Sequence, residues 1–175
     1  MECQCAECAE YEGPNPAMMA LRLSVFGAQA MVALAGMDKE QSWKALGAWF
    51  AAIAFFLTLP RYLICCRCEG YGKKCYPLYL GRLTSLYLPK VDDKEVSPVG
   101  AGLELLTLNL MSNLPVLGMK NDKKLRNIYI LLANVTMALQ FYHACRHCAR
   151  YATDWRRDCL SARAARLVFS IERED

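Results

Sequence analysis

Apolar residues in this chain fall into four blocks separated by polar segments. The blocks run over Ala17–Met37, Ala45–Cys66, Val99–Met119 and Leu125–Cys145. Each is close to the ~20 helical residues that cross about 30 Å of hydrocarbon, so the pattern predicts four transmembrane helices. The third and fourth blocks carry Glu104 and several asparagines, which favours helices shielded from lipid by other protein. A soluble helical bundle with two unusually apolar hairpins is the alternative.

The two halves of the chain align without a gap after a shift of 80 residues. The decisive matches join Tyr62 to Tyr142, Cys65 to Cys145, Cys68 to Cys148 and Tyr71 to Tyr151, with Leu23–Leu103, Met31–Met111, Leu34–Leu114 and Gln29–Asn109 as weaker matches. An internal repeat of this kind predicts two duplicated helical hairpins. Because each hairpin has two spans, both would enter the membrane from the same side.

A basic, amphipathic piece follows each hairpin, and both pieces, Tyr76–Leu88 and Trp155–Phe169, are predicted to be interfacial helices, with ordinary amphipathic surface helices as the alternative. The predicted fold is therefore an all-α membrane protein with four transmembrane helices. Its segments are an N-terminal Cys- and Glu-containing part (1–16), the first hairpin (17–71), an interfacial segment (72–98), the second hairpin (99–151) and a basic amphipathic C-terminal helix (152–175).

Composition and charge restrict the partners and the location. Apolar residues make up 55% of the chain and the net charge is +4; no basic run is interleaved with aromatics, so we expect lipids and other membrane subunits as partners and no nucleic acid. The acidic start lacks the features of a cleaved secretory signal. Basic residues concentrate on the cysteine-bearing side, which predicts both termini in the cytosol, the mitochondrial matrix or the stroma. We expect the mitochondrial inner membrane, with both termini on the matrix side, because many small subunits there carry internal targeting; thylakoid and endomembrane locations are the alternatives.

The cysteines carry the clearest candidate chemistry. Two Cys-x-x-Cys pairs, Cys65/Cys68 and Cys145/Cys148, occupy equivalent helix ends, and four such thiolates suit a structural zinc ion or an iron–sulfur cluster. Cys5 and Cys8 form a third pair that could add ligands. S-acylation beside basic residues, disulfide bonds and simple packing of small buried side chains are the alternatives.

Charged residues inside the blocks are few. Arg22 and Glu104 hold nearly corresponding places in the two halves; pairing across the repeat is one interpretation, and extension of either side chain to the bilayer interface is the alternative. Pro60 and Arg61 fall near the end of the second block, where a bilayer interface would tolerate both. No catalytic motif is present in the sequence. The predicted function is a non-catalytic accessory subunit of a larger membrane complex. A metal- or thiol-dependent redox protein and a small carrier, with a cavity near Arg22, Asn109 and Glu104, are the alternatives.

Overall fold

The structure is a computed structural model that describes residues 15–67, 71–73, 75, 78–91, 98–140 and 142. Every regular element in these residues is helical. The long helices are α1 (Pro16–Lys39), α2 (Trp43–Ile64), α4 (Pro98–Gly118) and α5 (Lys123–Leu139), and α2 continues into a 3₁₀ turn at Cys65–Arg67. A short helix, α3 (Leu80–Thr84), lies in the segment between the two hairpins.

The helix starts follow from local capping. Pro16 occupies the first turn of α1, where its missing N–H costs nothing, and the Asn15 side chain accepts a hydrogen bond of 2.9 Å from the Ala17 amide. Asp122 caps α5 in the same way through the Leu125 amide, at 3.0 Å. The corresponding residue before α2, Ser42, makes no such cap and instead donates to the Gly118 carbonyl at 2.8 Å.

The four long helices pack mainly between hairpins. The principal interfaces join α2 to α4 and α1 to α5, and contacts within each hairpin are fewer. A twofold axis that exchanged the hairpins would also exchange these two interfaces; the duplication itself stays a prediction. Among the described helices, α1 and the continuous helix Trp43–Arg67 are long and apolar enough to cross a membrane.

A reciprocal contact at the end where the hairpin connectors meet defines the twofold more closely. Met119 packs against Gly36, and Met37 packs against Gly118, so closely that a Cβ atom on either glycine would overlap the methionine. Both methionines are fully buried. The equivalent glycines are therefore 82 residues apart, not 80.

The starts of α2 and α5, Trp43 and Lys123, keep the shift of 80 residues. The first hairpin thus has two more residues than the second between the equivalent glycine and its second helix. As a result, the weaker matches between α1 and α4, all made at a shift of 80 residues, do not join equivalent positions. Gln29, for example, bonds to α5 inside the bundle, while Asn109 is exposed on α4.

The interfacial segment is only partly helical in the described residues. Helix α3 covers five residues of the helix predicted over Tyr76–Leu88. The second predicted interfacial helix and the N-terminal segment 1–14 lie outside the described residues.

Candidate functional site

Two groups of buried polar residues connect the hairpins, one in the middle of the bundle and one at the end that bears Cys65, here called the cysteine-bearing end. The first group is a chain of hydrogen bonds that reaches all four long helices. The Thr136 hydroxyl donates to the Gln29 side-chain oxygen at 2.9 Å, and the Gln29 amide donates to the Tyr129 hydroxyl at 3.3 Å. Tyr129 in turn donates to the Met111 carbonyl at 3.2 Å, which also accepts from Trp49 Nε1 at 3.0 Å.

The Met111 carbonyl is available because of Pro115. A proline has no N–H, so the carbonyl four residues earlier loses its helical partner. Trp49 and Tyr129, which are equivalent under the shift of 80 residues, supply the missing donors from α2 and α5. Pro115 is itself fully buried, so the irregular point of α4 lies inside the bundle and its polar group is satisfied there.

Pro60 likewise leaves one carbonyl of α2 without its helical donor. The Phe56 carbonyl loses its helical donor to Pro60 and accepts from Arg61 Nε at 3.3 Å. The Arg61 guanidinium also lies over the Phe56 ring, 4.2 Å from its centroid, and pairs with the Glu104 carboxylate of α4. Arg61 is 2% exposed. The side chain therefore faces the inside of the bundle, where it binds the Phe56 carbonyl and the Glu104 carboxylate; the position of Arg61 near a bilayer interface stays a prediction.

The interpretation that pairs Arg22 with Glu104 is wrong. Glu104 pairs with Arg61, and Arg22, which is 4% exposed, donates to the Gln140 side chain of α5. The physical reason is the packing: α1 lies against α5 and α4 lies against α2, so Arg22 on α1 binds a residue of α5 and Glu104 on α4 binds a residue of α2. Asn109 is exposed on the outside of α4. The three residues named for the carrier site therefore lie in three different environments.

The cysteine-bearing end contains Cys65 and Cys66, both buried. Cys65 Sγ lies 3.6 Å from Arg61 Nη1, and the Cys66 carbonyl accepts from the Val91 amide at 3.0 Å. Cys75 Sγ accepts a hydrogen bond of 3.0 Å from the Gly81 amide. Both thiols are buried, and a thiol must be accessible from outside to be acylated. Acylation of Cys65 or Cys66 would therefore require the residues packed around them to move.

Of the predicted metal ligands, the structure places Cys65 alone. Cys68, Cys145 and Cys148, with the additional candidates Cys5 and Cys8, lie outside the described residues. Within the described residues there is no group of three or more His, Cys, Asp or Glu side chains that could hold a metal ion. The all-cysteine site stays a prediction.

Sequence reasoning missed the carbonyls freed by the two prolines, although each signal was present. A proline inside an apolar helix implies an unpaired carbonyl four residues earlier, and in an apolar environment a donor must be found for it. Arg61, directly after Pro60, and the aromatic pair Trp49 and Tyr129 are those donors. Comparison with protein-family models, with curated proteins and with solved structures finds no match to this chain.

Proposed function

We propose that this chain is an integral-membrane protein in which α1, α2, α4 and α5 all span the bilayer as two hairpins. We further propose that it acts as a non-catalytic accessory subunit of a larger membrane complex, bound to its neighbours through the second hairpin. Two sets of outward-facing residues support the proposal, one on each hairpin.

The outward surface of the first hairpin suits lipid. Between Ala20 and Ala35 the exposed residues of α1 are apolar apart from Ser24, and between Gly47 and Leu59 those of α2 are apolar apart from Thr58. The Thr58 hydroxyl donates within its own helix, to the Ala54 carbonyl at 3.0 Å. Large exposed side chains on this surface are Leu21, Leu23, Phe26, Met31, Phe50, Phe55 and Leu59. So much exposed apolar surface would be costly in water and costs nothing in hydrocarbon.

The second hairpin carries asparagines on its exposed surface, and this observation carries the proposal. Exposed residues follow each other at helical spacing along two stripes, Gly102, Leu106, Asn109, Asn113 and Leu117 on α4, and Asn127, Leu131, Asn134 and Ala138 on α5. Intervals of three and four residues place each stripe on one helix face, as in a helix–helix interface. We call these two sets the asparagine stripes.

The amides in the asparagine stripes are only partly satisfied by their own helices. Asn113 donates to the Asn109 carbonyl at 2.9 Å and Asn134 to the Ile130 carbonyl at 2.8 Å. In the described part of the chain, the side-chain oxygens of Asn113 and Asn134 receive no hydrogen bond. A polar group left unpaired in hydrocarbon costs several kcal/mol, whereas asparagine facing another helix hydrogen-bonds across the interface. A neighbouring transmembrane helix therefore fits this surface better than lipid.

We propose the mitochondrial inner membrane as the location, with the cysteine-bearing end in the matrix. The excess of lysine and arginine in the sequence segments at that end supports this orientation. Protease protection of intact and opened organelles would test it, because tags at either terminus should be cut only after the inner membrane is opened.

The experiment for the subunit proposal is native electrophoresis of mildly solubilised membranes that contain the tagged full chain. We expect the wild-type protein to migrate in a large particle, and the double change Asn109→Leu with Asn113→Leu to release it as a small one. The matched control replaces the exposed polar residues of the first hairpin, Ser24→Leu with Thr58→Leu, and should stay in the large particle.

Circular dichroism of the released chain would show that it has kept its helices. A wild-type chain that migrates alone, or asparagine variants that stay in the large particle, would contradict the proposal. Stoichiometric zinc or an iron–sulfur cluster in a small wild-type particle would instead support the metal-site alternative.

A further inference from the structure

Residues 78–91, here called the α3 segment, lie folded back along the end of α2. The Tyr87 hydroxyl donates to the Leu57 carbonyl of α2 at 2.5 Å, and the Val91 amide donates to the Cys66 carbonyl at 3.0 Å. Tyr71, close after the 3₁₀ turn, donates through its hydroxyl to the Leu88 carbonyl at 2.6 Å. These bonds hold the C-terminal part of the segment, from Tyr87 to Val91, beside α2.

The α3 segment has a buried side and an exposed side of different character. Gly81 and Thr84 are buried towards the helix ends. Leu83 is 41%, Leu86 77% and Tyr87 45% exposed, and Leu86 has the largest exposed fraction among the large apolar side chains of the described residues. Arg82 and Lys90, also exposed, lie in sequence on either side of this apolar group.

The hydrogen bond from Tyr87 fixes the depth of the segment. Leu57 precedes Ile64, the last residue of α2, by seven residues, or about 10 Å along the helix axis. The 22 residues of α2 extend over about 33 Å, slightly more than the ~30 Å of a hydrocarbon core. If α2 spans the bilayer, the Tyr87 hydroxyl lies below the headgroups while Cys66 and Val91 lie among them.

We propose that the exposed side of the α3 segment is a binding surface for anionic phospholipid. Leu83, Leu86 and Tyr87 enter the boundary of the acyl chains, where leucine and tyrosine are favoured. Arg82 and Lys90 bind the phosphate groups above them. The assignment rests on the proposed membrane insertion, and the charge and depth of the surface single out lipid as its occupant.

The first test uses the full chain reconstituted in vesicles that contain a phospholipid with a photoreactive group in its acyl chain. After illumination, peptide mass spectrometry locates the adducts. We expect them on Leu83, Leu86 or Tyr87 and also on the outer surface of the first hairpin, at Phe26 and Phe55. Adducts on the first hairpin alone would overturn the lipid surface and leave the membrane proposal standing. Adducts on neither would overturn the membrane proposal itself.

The second test measures the anionic part of the surface. The double variant Arg82→Gln with Lys90→Gln is purified from vesicles of phosphatidylcholine and phosphatidylglycerol, and the retained lipids are quantified by native mass spectrometry. Each basic side chain near an anionic surface contributes roughly a fivefold preference, so retention of phosphatidylglycerol relative to phosphatidylcholine should fall by about that factor or more. The control Lys44→Gln with Lys120→Gln removes two exposed lysines at the opposite end. An unchanged lipid ratio, or an equal fall in the control, would overturn the assignment.

Discussion

The two hairpins resemble each other on the inside and differ on the outside. Each presents a Gly-Met pair to the other, Gly36–Met37 and Gly118–Met119, and each contributes one aromatic donor to the same carbonyl, Trp49 and Tyr129. On the outside, the first hairpin is apolar with Ser24 and Thr58 as small exceptions, whereas the second carries the asparagine stripes.

The inner and outer surfaces are subject to different physical constraints. The inner surfaces must fit each other, because Met119 fills the space beside Gly36 and Met37 the space beside Gly118. The outer surfaces contact different neighbours in our proposal: the first hairpin contacts lipid and the second contacts protein. Four sets of variants test this comparison, and their expected effects decrease from the first set to the last.

The largest effect is expected at the buried ion pair between Arg61 and Glu104. Glu104→Leu would leave the Arg61 guanidinium buried without its carboxylate, which costs roughly 3–5 kcal/mol in the free energy of unfolding. Glu104→Gln should cost less, because an amide oxygen still accepts from the guanidinium, as Gln140 does for Arg22 in the equivalent interface. Denaturant titration of the purified chain in detergent, with tryptophan fluorescence as the readout, measures the change in unfolding free energy caused by each variant.

The control for this pair is Leu106→Ala, an exposed position on the same helix, which should change the unfolding free energy little in detergent. If Glu104→Leu were no worse than this control, the ion pair would contribute nothing to the α2–α4 interface. If Glu104→Gln lowered the unfolding free energy as much as Glu104→Leu, an amide oxygen could not replace the carboxylate here. The Arg61–Glu104 pair would then differ in kind from the Arg22–Gln140 pair.

Next in size is the reciprocal glycine–methionine contact. An added Cβ at Gly36 would overlap the buried Met119 side chain, and one at Gly118 would lie 2.8 Å from Met37 Cγ and 3.2 Å from the Ala45 Cβ. Overpacking of this kind costs about 1–3 kcal/mol, so Gly36→Ala and Gly118→Ala should both lower the unfolding free energy.

Shortening the opposing side chain separates overpacking from a backbone effect. Met119→Ala and Met37→Ala are destabilising by themselves because both methionines are fully buried. In a double-mutant cycle, however, Gly36→Ala should cost less in the Met119→Ala background than in the wild type, and Gly118→Ala should cost less in the Met37→Ala background. The matched controls are Gly47→Ala in the first hairpin and Gly102→Ala in the second, where an added Cβ meets nothing within 4 Å; helix propensity makes these slightly stabilising. If Gly36→Ala lowered the unfolding free energy and Gly118→Ala did not, the two glycine–methionine contacts would not be equivalent.

A smaller effect is expected where both hairpins donate to the Met111 carbonyl. Trp49→Phe removes one donor at a cost of about 1 kcal/mol. Tyr129→Phe should cost more, since it also deprives Gln29 of its acceptor. Pro115→Ala returns an N–H to position 115, which can bond to the Met111 carbonyl as in a regular helix. Trp49→Phe should therefore lower the unfolding free energy less in the Pro115→Ala background than in the wild type. A double-mutant cycle measures this coupling, and strict additivity would show that the proline is not the reason for the aromatic donors.

Much of the fold could be predicted from the sequence because it depends on local pattern. The predicted span Ala17–Met37 became α1 at Pro16–Lys39, and the block that starts at Ala45 became α2 from Trp43. Which helices are neighbours could not be predicted, since four apolar blocks pack equally well in several orders. Arg22 and Glu104 were therefore paired wrongly. The two-residue difference between the hairpins was hidden for a similar reason, because one leucine matches another at almost any register.

The smallest effect concerns the residues that begin the second helix of each hairpin, Asp122 and Ser42. The Leu125 amide and then the Lys39 ammonium hold the pKa of Asp122 below its ordinary value of 3.8. Because the folded state lowers this pKa, the contribution of Asp122 to stability is complete above about pH 4 and is lost as the pH falls through the lower, folded-state value. Ser42 has no charge to lose.

Asp122→Asn keeps a good cap and should remove the part of the decrease in unfolding temperature at acid pH that comes from Asp122. Ser42→Ala should leave the acid limb of the profile of unfolding temperature against pH unchanged. If Asp122→Asn kept the wild-type acid limb, the titrating group would lie elsewhere, and this difference between the two hairpin connectors would have no consequence for stability.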